Sequence, residues 1–303
     1  MESVDSAVAP KDPRAGRLLT RRVRELFRVY PKGLVGEVEA VHDLRVAARR
    51  LRAALVLLAD NPEGRRARRA DKTLRDLARA AGRGRDRDVG LEILKALPAG
   101  ALEENVRLRR ALSSSRSRAR FLSREALFDL ELAHLRRDLR ALVAATRVDR
   151  TVLAGRLDAL RLREEAIIDR ELAGGRAWPK AEQLHSARRA ARRLRYAAEV
   201  EALFDGSESD AADRWRKMQS RLGDIQDRHV LSAWLSLREQ RAAARGDLVL
   251  ATAAARALSR VKRDAARRTR EFVRERGQVS PPVTSPADRC SWSVRLPASS
   301  RDH

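Results

Sequence analysis

The segment Val41-His42-Asp43-Leu44-Arg45-Val46-Ala47-Ala48-Arg49-Arg50-Leu51-Arg52 returns 143 positions later as Leu184-His185-Ser186-Ala187-Arg188-Arg189-Ala190-Ala191-Arg192-Arg193-Leu194-Arg195. The histidine, the arginines at 45/188 and 49/192 and the closing Arg-Leu-Arg stay in register. A second element, Gly82-Arg83-Gly84-Arg85-Asp86-Arg87-Asp88-Val89, aligns with Gly223-Asp224-Ile225-Gln226-Asp227-Arg228-His229-Val230 at an offset of 141. Two elements in the same order at nearly the same spacing mark an internal duplication. The fold must therefore accommodate two related copies of one strongly basic module.

On an α-helix each residue advances about 100°, which places His42, Arg45, Arg49 and Arg52 within roughly 80° of one another. Leu44, Leu51, Leu55 and Leu58 fall on the opposite face. One helix thus offers an apolar stripe to a core and, behind it, a cationic stripe roughly 15 Å long at about 1.5 Å rise per residue. His185, Arg188, Arg192 and Arg195 repeat that stripe, with Arg50 and Arg193 at its edges. The next helix of each half carries Lys72, Arg75 and Arg79, or Arg214, Lys217 and Arg221, at spacings i, i+3, i+7. These can widen the basic walls or form ordinary solvated helix faces.

The 66 Lys and Arg against 42 Asp and Glu leave a formal charge of +24, far beyond what solubility requires, so a polyanionic partner is expected. Arg- and Ala-rich usage with 4% aromatic residues favours helices almost everywhere, and the expected class is all-α. The single Cys290 excludes a disulfide framework within one chain. No apolar run approaches the roughly 20 residues that cross a bilayer, and Met1 to Pro13 lacks an apolar signal core. A soluble, cytoplasmic protein without membrane association is expected, and nothing in the sequence specifies an oligomer.

Periodicity and punctuation place helices at Arg14–Tyr30, ended by Pro31-Lys32-Gly33, and then through His42 to about Asp60. Further helices are expected at Glu63–Ala81, from Asp86 to before Pro98, and at Leu102–Ala144 with a weak point at Ser113-Ser114-Ser115. The remainder are expected at Arg150–Glu171, Lys180–Phe204, Ser209–Leu222, Asp227–Ala244 and Asp247–Arg276. Residues 11–276 form the expected domain, with halves at about 11–145 and 150–276, each able to make a bundle of about four helices. The prolines and serines of 277–303 predict a disordered tail.

The chain resembles the CHAD family, the conserved histidine α-helical domain. The resemblance rests on His42-Asp43-Leu44-Arg45-Val46 with Arg49-Arg50-Leu51-Arg52, on Arg85-Asp86-Arg87-Asp88-Val89, on His185 with Arg192-Arg193-Leu194-Arg195-Tyr196 and Glu199, and on Leu222-Gly223-Asp224-Ile225-Gln226-Asp227. It implies two four-helix bundles related by pseudo-two-fold symmetry, a basic groove between them, inorganic polyphosphate as ligand and no established catalysis. Localisation to polyphosphate granules is the corresponding expectation. His229 in place of Asp88 departs from an exact repeat.

Polyphosphate presents anionic tetrahedra without base edges, so its recognition depends on dense charge-assisted hydrogen bonds from Arg and Lys. His42 and His185 are candidate phosphate donors or supports for neighbouring arginines, and His134, without a repeat counterpart, reads as structural. Asp86, Asp88, Asp227 and His229 could ligate a metal, but Asp86 and Asp227 follow glycine breaks, where Asp more often caps a helix or pairs with Arg, so no metal or cofactor is expected. Non-specific nucleic-acid binding is the alternative that a +24 chain invites. Specific readout lacks both zinc-finger spacing and stacking aromatics. A metal-dependent phosphohydrolase is the third reading, without a phosphate-binding Gly-x-x-x-x-Gly-Lys-Ser/Thr loop to support it.

Overall fold

The computed structural model describes residues 12–96, 102–173 and 178–278, which form ten α-helices and, among the described residues, no strand. These are α1 (Pro13–Val35), α2 (Val38–Leu58), α3 (Arg65–Ala80), α4 (Gly82–Ala96) and α5 (Leu102–Phe128), followed by α6 (Leu132–Ala145), α7 (Arg150–Leu172), α8 (Ala181–Asp205), α9 (Asp210–Ala243) and α10 (Leu248–Gln278). The expected tail beyond Gln278, with Cys290, lies outside the described residues, as does the N-terminal lead through Lys11.

Side chains satisfy the helix ends, which otherwise leave backbone groups unpaired. The carboxylate of Asp12 accepts from the Arg14 backbone N–H (2.8 Å) with Pro13 at the first helical position, and Asp149 accepts from Val152 N–H (2.8 Å) to start α7. At the far end of α2, Arg156 from α7 donates through Nη1 to the carbonyls of Leu57 (2.9 Å) and Ala59 (2.7 Å). Ser123 of α5 donates to the Ala80 carbonyl at the end of α3 (2.6 Å).

Three helix boundaries differ from the sequence reading. Pro31 does not end α1: the chain continues to a left-handed cap at Gly36 (φ 90°), while the Tyr30 hydroxyl donates to the Leu127 carbonyl (2.8 Å) and holds the last turns in place. The serines at 113–115 do not weaken α5, because buried Leu108 and Leu112 anchor the turns before them; the chain breaks instead at Asp129–Glu131. Finally, α9 runs unbroken through Gly223. In the first half the chain divides at Ala81, between α3 and α4, and Gly82 and Gly84 fall within α4 rather than in the break.

The leucines assigned to the apolar face of α2 are buried, with Leu44, Leu51 and Leu58 at 0% and Leu55 at 3% exposure. They join a large core built from α1, α2, α3, α6, α7 and α8 and the adjoining ends of α5, α9 and α10. A second core is built from Leu91 and Leu94 of α4, Leu108 and Leu112 of α5, Leu231 and Leu235 of α9, and Ala254 and Val261 of α10. The cores thus do not follow the boundary between repeat halves: each is assembled from helices of both. Long helices explain this, since α5, α9 and α10 each extend past one core and reach the other.

Leu51 and its repeat partner Leu194 are buried at equivalent points of α2 and α8. Leu51→Ala and Leu194→Ala should each lower unfolding free energy by about 2–5 kcal/mol, read from denaturant titration.

Candidate anion-binding site

Helix α2 packs directly on α8. Both contribute buried alanines, Ala47 and Ala48 from one and Ala190 and Ala191 from the other, and small side chains permit close approach of the two helices. The cationic stripes consequently meet. Arg45 and Arg49 of α2 lie close enough to Arg188 and Arg192 of α8 for each helix to feel the other's charge.

Burial is the main force acting on these guanidinium groups, and mutual repulsion adds to it. Together they push Arg49 down to about 9 and Arg192 down to about 10, far below the ordinary range for arginine. Arg45 is also shifted down, though Asp86 and Asp227 partly offset the effect. The neighbour that most opposes the downward shift of Arg192 is Tyr196, buried at 5% exposure. Among the described residues Arg49, Arg188 and Arg192 have no carboxylate within ion-pair distance. Arg45 has only a loose one, its Nη1 3.9 Å from Asp86 Oδ1. Arg45 Nη1 and Arg188 Nε are both buried without a hydrogen-bond acceptor.

Two glycines at corresponding positions lie against these two arginines, and only the second is tight. A Cβ on Gly82 would stand 3.6 Å from Arg45 Nη1, and one on Gly223 would stand 3.3 Å from Arg188 Nη2. Asp227 lies half-buried nearby, and desolvation raises its carboxyl above the usual range, with Arg188 and Arg45 opposing the effect and Asp86 adding to it. Among the described residues no group of three or more His, Cys, Asp and Glu could hold a metal ion.

The other arginines of the stripes are neutralised. Arg52 donates to Asp71 (2.7 Å), Arg50 to Glu199 (2.9 Å) and Arg195 to Glu199 (2.9 Å), while Arg193 pairs with Glu164 of α7. Glu199 thereby ties α2 to α8, with Arg22 of α1 at 4.0 Å. Lys72 and Arg79 pair with Asp76, and Arg75 with Asp71, all from their own helix α3; these three cations are exposed. Arg221 pairs with Glu275 of α10, whereas Arg214 and Lys217 are exposed on α9 without an ion-pair partner among the described residues. His134 contacts Glu131 (2.6 Å) on the surface of α6.

His42 and His185 stand at the solvent-facing ends of their stripes. Crowding by protein atoms lowers the affinity of each for a proton, and nearby arginines add to this: Arg85 and Arg45 at His42, and Arg189, Arg188 and Arg192 at His185. Sequence spacing placed Arg45, Arg49, Arg188 and Arg192 on the two stripes but did not show Tyr196 beside Arg192 or the approach of Gly223 to Arg188. The repetition of both glycines was the available signal.

A family profile described as the CHAD domain matches residues 17–236. Among solved structures, the chain is similar to PptA from Streptomyces chartreusis (TM-score 0.67, 18% identity, covering 89% of this chain and all of that one). It is also similar to the CHAD domain from the plant Ricinus communis (TM-score 0.55, 20% identity, covering 84% of this chain and 91% of that one). No curated protein sequence matches it.

Arg49 and Arg192 bind protons less readily in the folded chain than an unfolded arginine does, so between about pH 9 and the ordinary arginine range the unfolded state holds more protons. Their destabilising charge is fully present at pH 7 and is relieved as pH rises through about 9 to 10. Arg49→Met should accordingly raise the thermal midpoint at pH 7 by about 2–4 °C, the equivalent of roughly 1 kcal/mol. That advantage should shrink between pH 8 and 10.5 as the wild-type charge is lost.

Proposed function

The chain belongs to the CHAD domain family, and from that premise we propose that it binds inorganic polyphosphate along the α2–α8 seam. The observation that carries this reading is the concentration of four partly buried arginines, Arg45, Arg49, Arg188 and Arg192, with too few carboxylates to neutralise them. A polyanion would supply the missing acceptors and reverse the mutual repulsion. Tyr196, the aromatic residue beside these arginines, is buried at 5% exposure with Arg195 over its ring, so it is not free to stack on bases, which favours polyphosphate over single-stranded nucleic acid. Non-specific attraction of nucleic acid by the +24 surface is the weaker reading.

In this reading the helices α2 to α4 and α8 to α9 are two arms related by a pseudo-two-fold axis, each the framework of a bundle, with the seam between them. The recurrence of Gly82 beneath Arg45 and Gly223 beneath Arg188 supports that relation. Arg50, Arg193, Arg52 and Arg195 act chiefly as framework, since each is already held by a carboxylate. The exposed cations Lys72, Arg75, Arg79, Arg214, Lys217 and Arg221 provide peripheral attraction. Binding itself is the proposed role, without phosphate-bond cleavage, and it would place the protein at polyphosphate granules. Among the described residues no helix is long and apolar enough to cross a membrane.

Replacing Arg45, Arg49, Arg188 and Arg192 together by Glu should abolish polyphosphate binding in a fluorescence titration while leaving helicity unchanged. Retained binding would contradict the seam. Bound phosphate should raise the proton affinity of His42 and His185, which burial and nearby Arg lower in the free protein. Affinity should then increase as pH falls through the titration of these histidines, and His42→Ala/His185→Ala should remove that increase.

A further inference from the structure

Beside His42, away from the packing of α2 on α8, lies a cavity of about 310 Å³ bounded by the start of α2, the first turns of α4 and the middle of α5. Its polar lining includes His42, Arg85, Asp88, Ser117, Arg120 and Arg124, with Ser123 already donating to the Ala80 carbonyl. Asp88 is already bound by Arg120 Nη2 (2.7 Å), which leaves Arg85 and Arg124 without a carboxylate partner among the described residues. The backbone is adapted to this crowding. A Cβ on Gly84 would come within 3.1 Å of Arg120 Cγ, and one on Gly36, which also needs its positive φ of 90°, within 3.1 Å of Arg124 Cδ.

The cavity adjoins the seam, because the charge of Arg85 acts on both His42 and Arg45. It differs from the seam in shape. Arg45, Arg49, Arg188 and Arg192 stand on two helices, whereas here α5 adds a third wall carrying Ser117, Arg120 and Arg124. The duplication does not reproduce it, since Arg85 is answered by Gln226 and Asp88 by His229.

Resting on the polyphosphate reading of the seam, we propose that this cavity is a separate subsite for a terminal phosphate group, either the end of a chain or free pyrophosphate. An internal phosphate of the polymer carries one negative charge, while a terminal one gains a second near neutral pH, with a second pKa of about 6 for comparable phosphate monoesters. The denser group matches a pocket holding Arg85, Arg120 and Arg124 against one carboxylate. The Ser117 hydroxyl can donate to the phosphate, and the third wall gives an end group a place to stop.

The test is calorimetric titration of the full chain with pyrophosphate and, separately, with long polyphosphate whose ends are either free or blocked as phosphoramidates. Ser117→Glu/Arg124→Glu changes two exposed α5 positions without touching the packing of α2 on α8. It should weaken pyrophosphate binding by about tenfold or more, as expected for loss of a charged hydrogen bond, and leave end-blocked polymer unaffected. The quadruple Glu variant at Arg45, Arg49, Arg188 and Arg192 should show the converse, losing end-blocked polymer and keeping measurable pyrophosphate binding. Displacement of pyrophosphate by free-ended but not end-blocked polymer assigns the pocket to chain ends. Displacement by neither assigns it to the free diphosphate. Absence of pyrophosphate binding to the wild type, or equal binding by the α5 variant, overturns the subsite. Loss of the seam reading shows separately, as end-blocked polymer that still binds the quadruple variant.

Discussion

Close packing of α2 on α8 is the constraint from which the rest follows. Burial of Ala47, Ala48 and Leu51 against the core on one side, and of Ala190, Ala191 and Leu194 on the other, brings two arginine stripes together that in isolation would repel. Apolar burial contributes about 25 cal/mol per Å², so a helix pair can carry a few kcal/mol of electrostatic opposition and still associate. That opposition is visible in the lowered proton affinities of Arg49 and Arg192. Unfavourable charge retained against the interest of stability is characteristic of sites whose relief comes from a ligand.

The surrounding ion pairs divide the arginines into two sets. Glu199 holds Arg50 and Arg195, Asp71 holds Arg52, and Glu164 holds Arg193, so these cations fix helices relative to one another. Each such pair leaves its guanidinium with fewer donors to offer an outside anion. Around the four central arginines of the seam such carboxylates are missing among the described residues, apart from Asp86 at 3.9 Å from Arg45, and Gly82 and Gly223 lie against Arg45 and Arg188. Two levels of selection thus operate on one basic composition: helical period chooses which arginines face the seam, and the placement of carboxylates chooses which remain available.

The helical period was enough to read the stripes, because a residue's face on a long helix depends on local spacing alone; Leu44, Leu51, Leu55 and Leu58 are buried as that spacing requires. Helix ends were less readable. Pro31 and the serines at 113–115 are weak points whose local cost is overridden by packing, through the Tyr30 bond to Leu127 in one case and buried Leu108 and Leu112 in the other. The neutralisation of Arg50 and Arg193 could not be read from periodicity, since their acids lie 149 and 29 residues away on other helices. For the same reason the cavity beside His42 had no sequence signal: its third wall comes from α5, whose Ser117, Arg120 and Arg124 look like an ordinary basic helix face until α2 and α4 are set against them.

A seam dedicated to polyphosphate should discriminate it from other polyanions of equal charge, which attraction to a +24 surface cannot do. The most direct measurement is a titration with long-chain polyphosphate at increasing salt, in the presence of duplex DNA at equal phosphate concentration. The seam predicts binding that DNA fails to displace and that persists at salt concentrations where DNA binding is lost. Displacement by DNA in proportion to its phosphate, with both ligands lost at the same salt concentration, would contradict it.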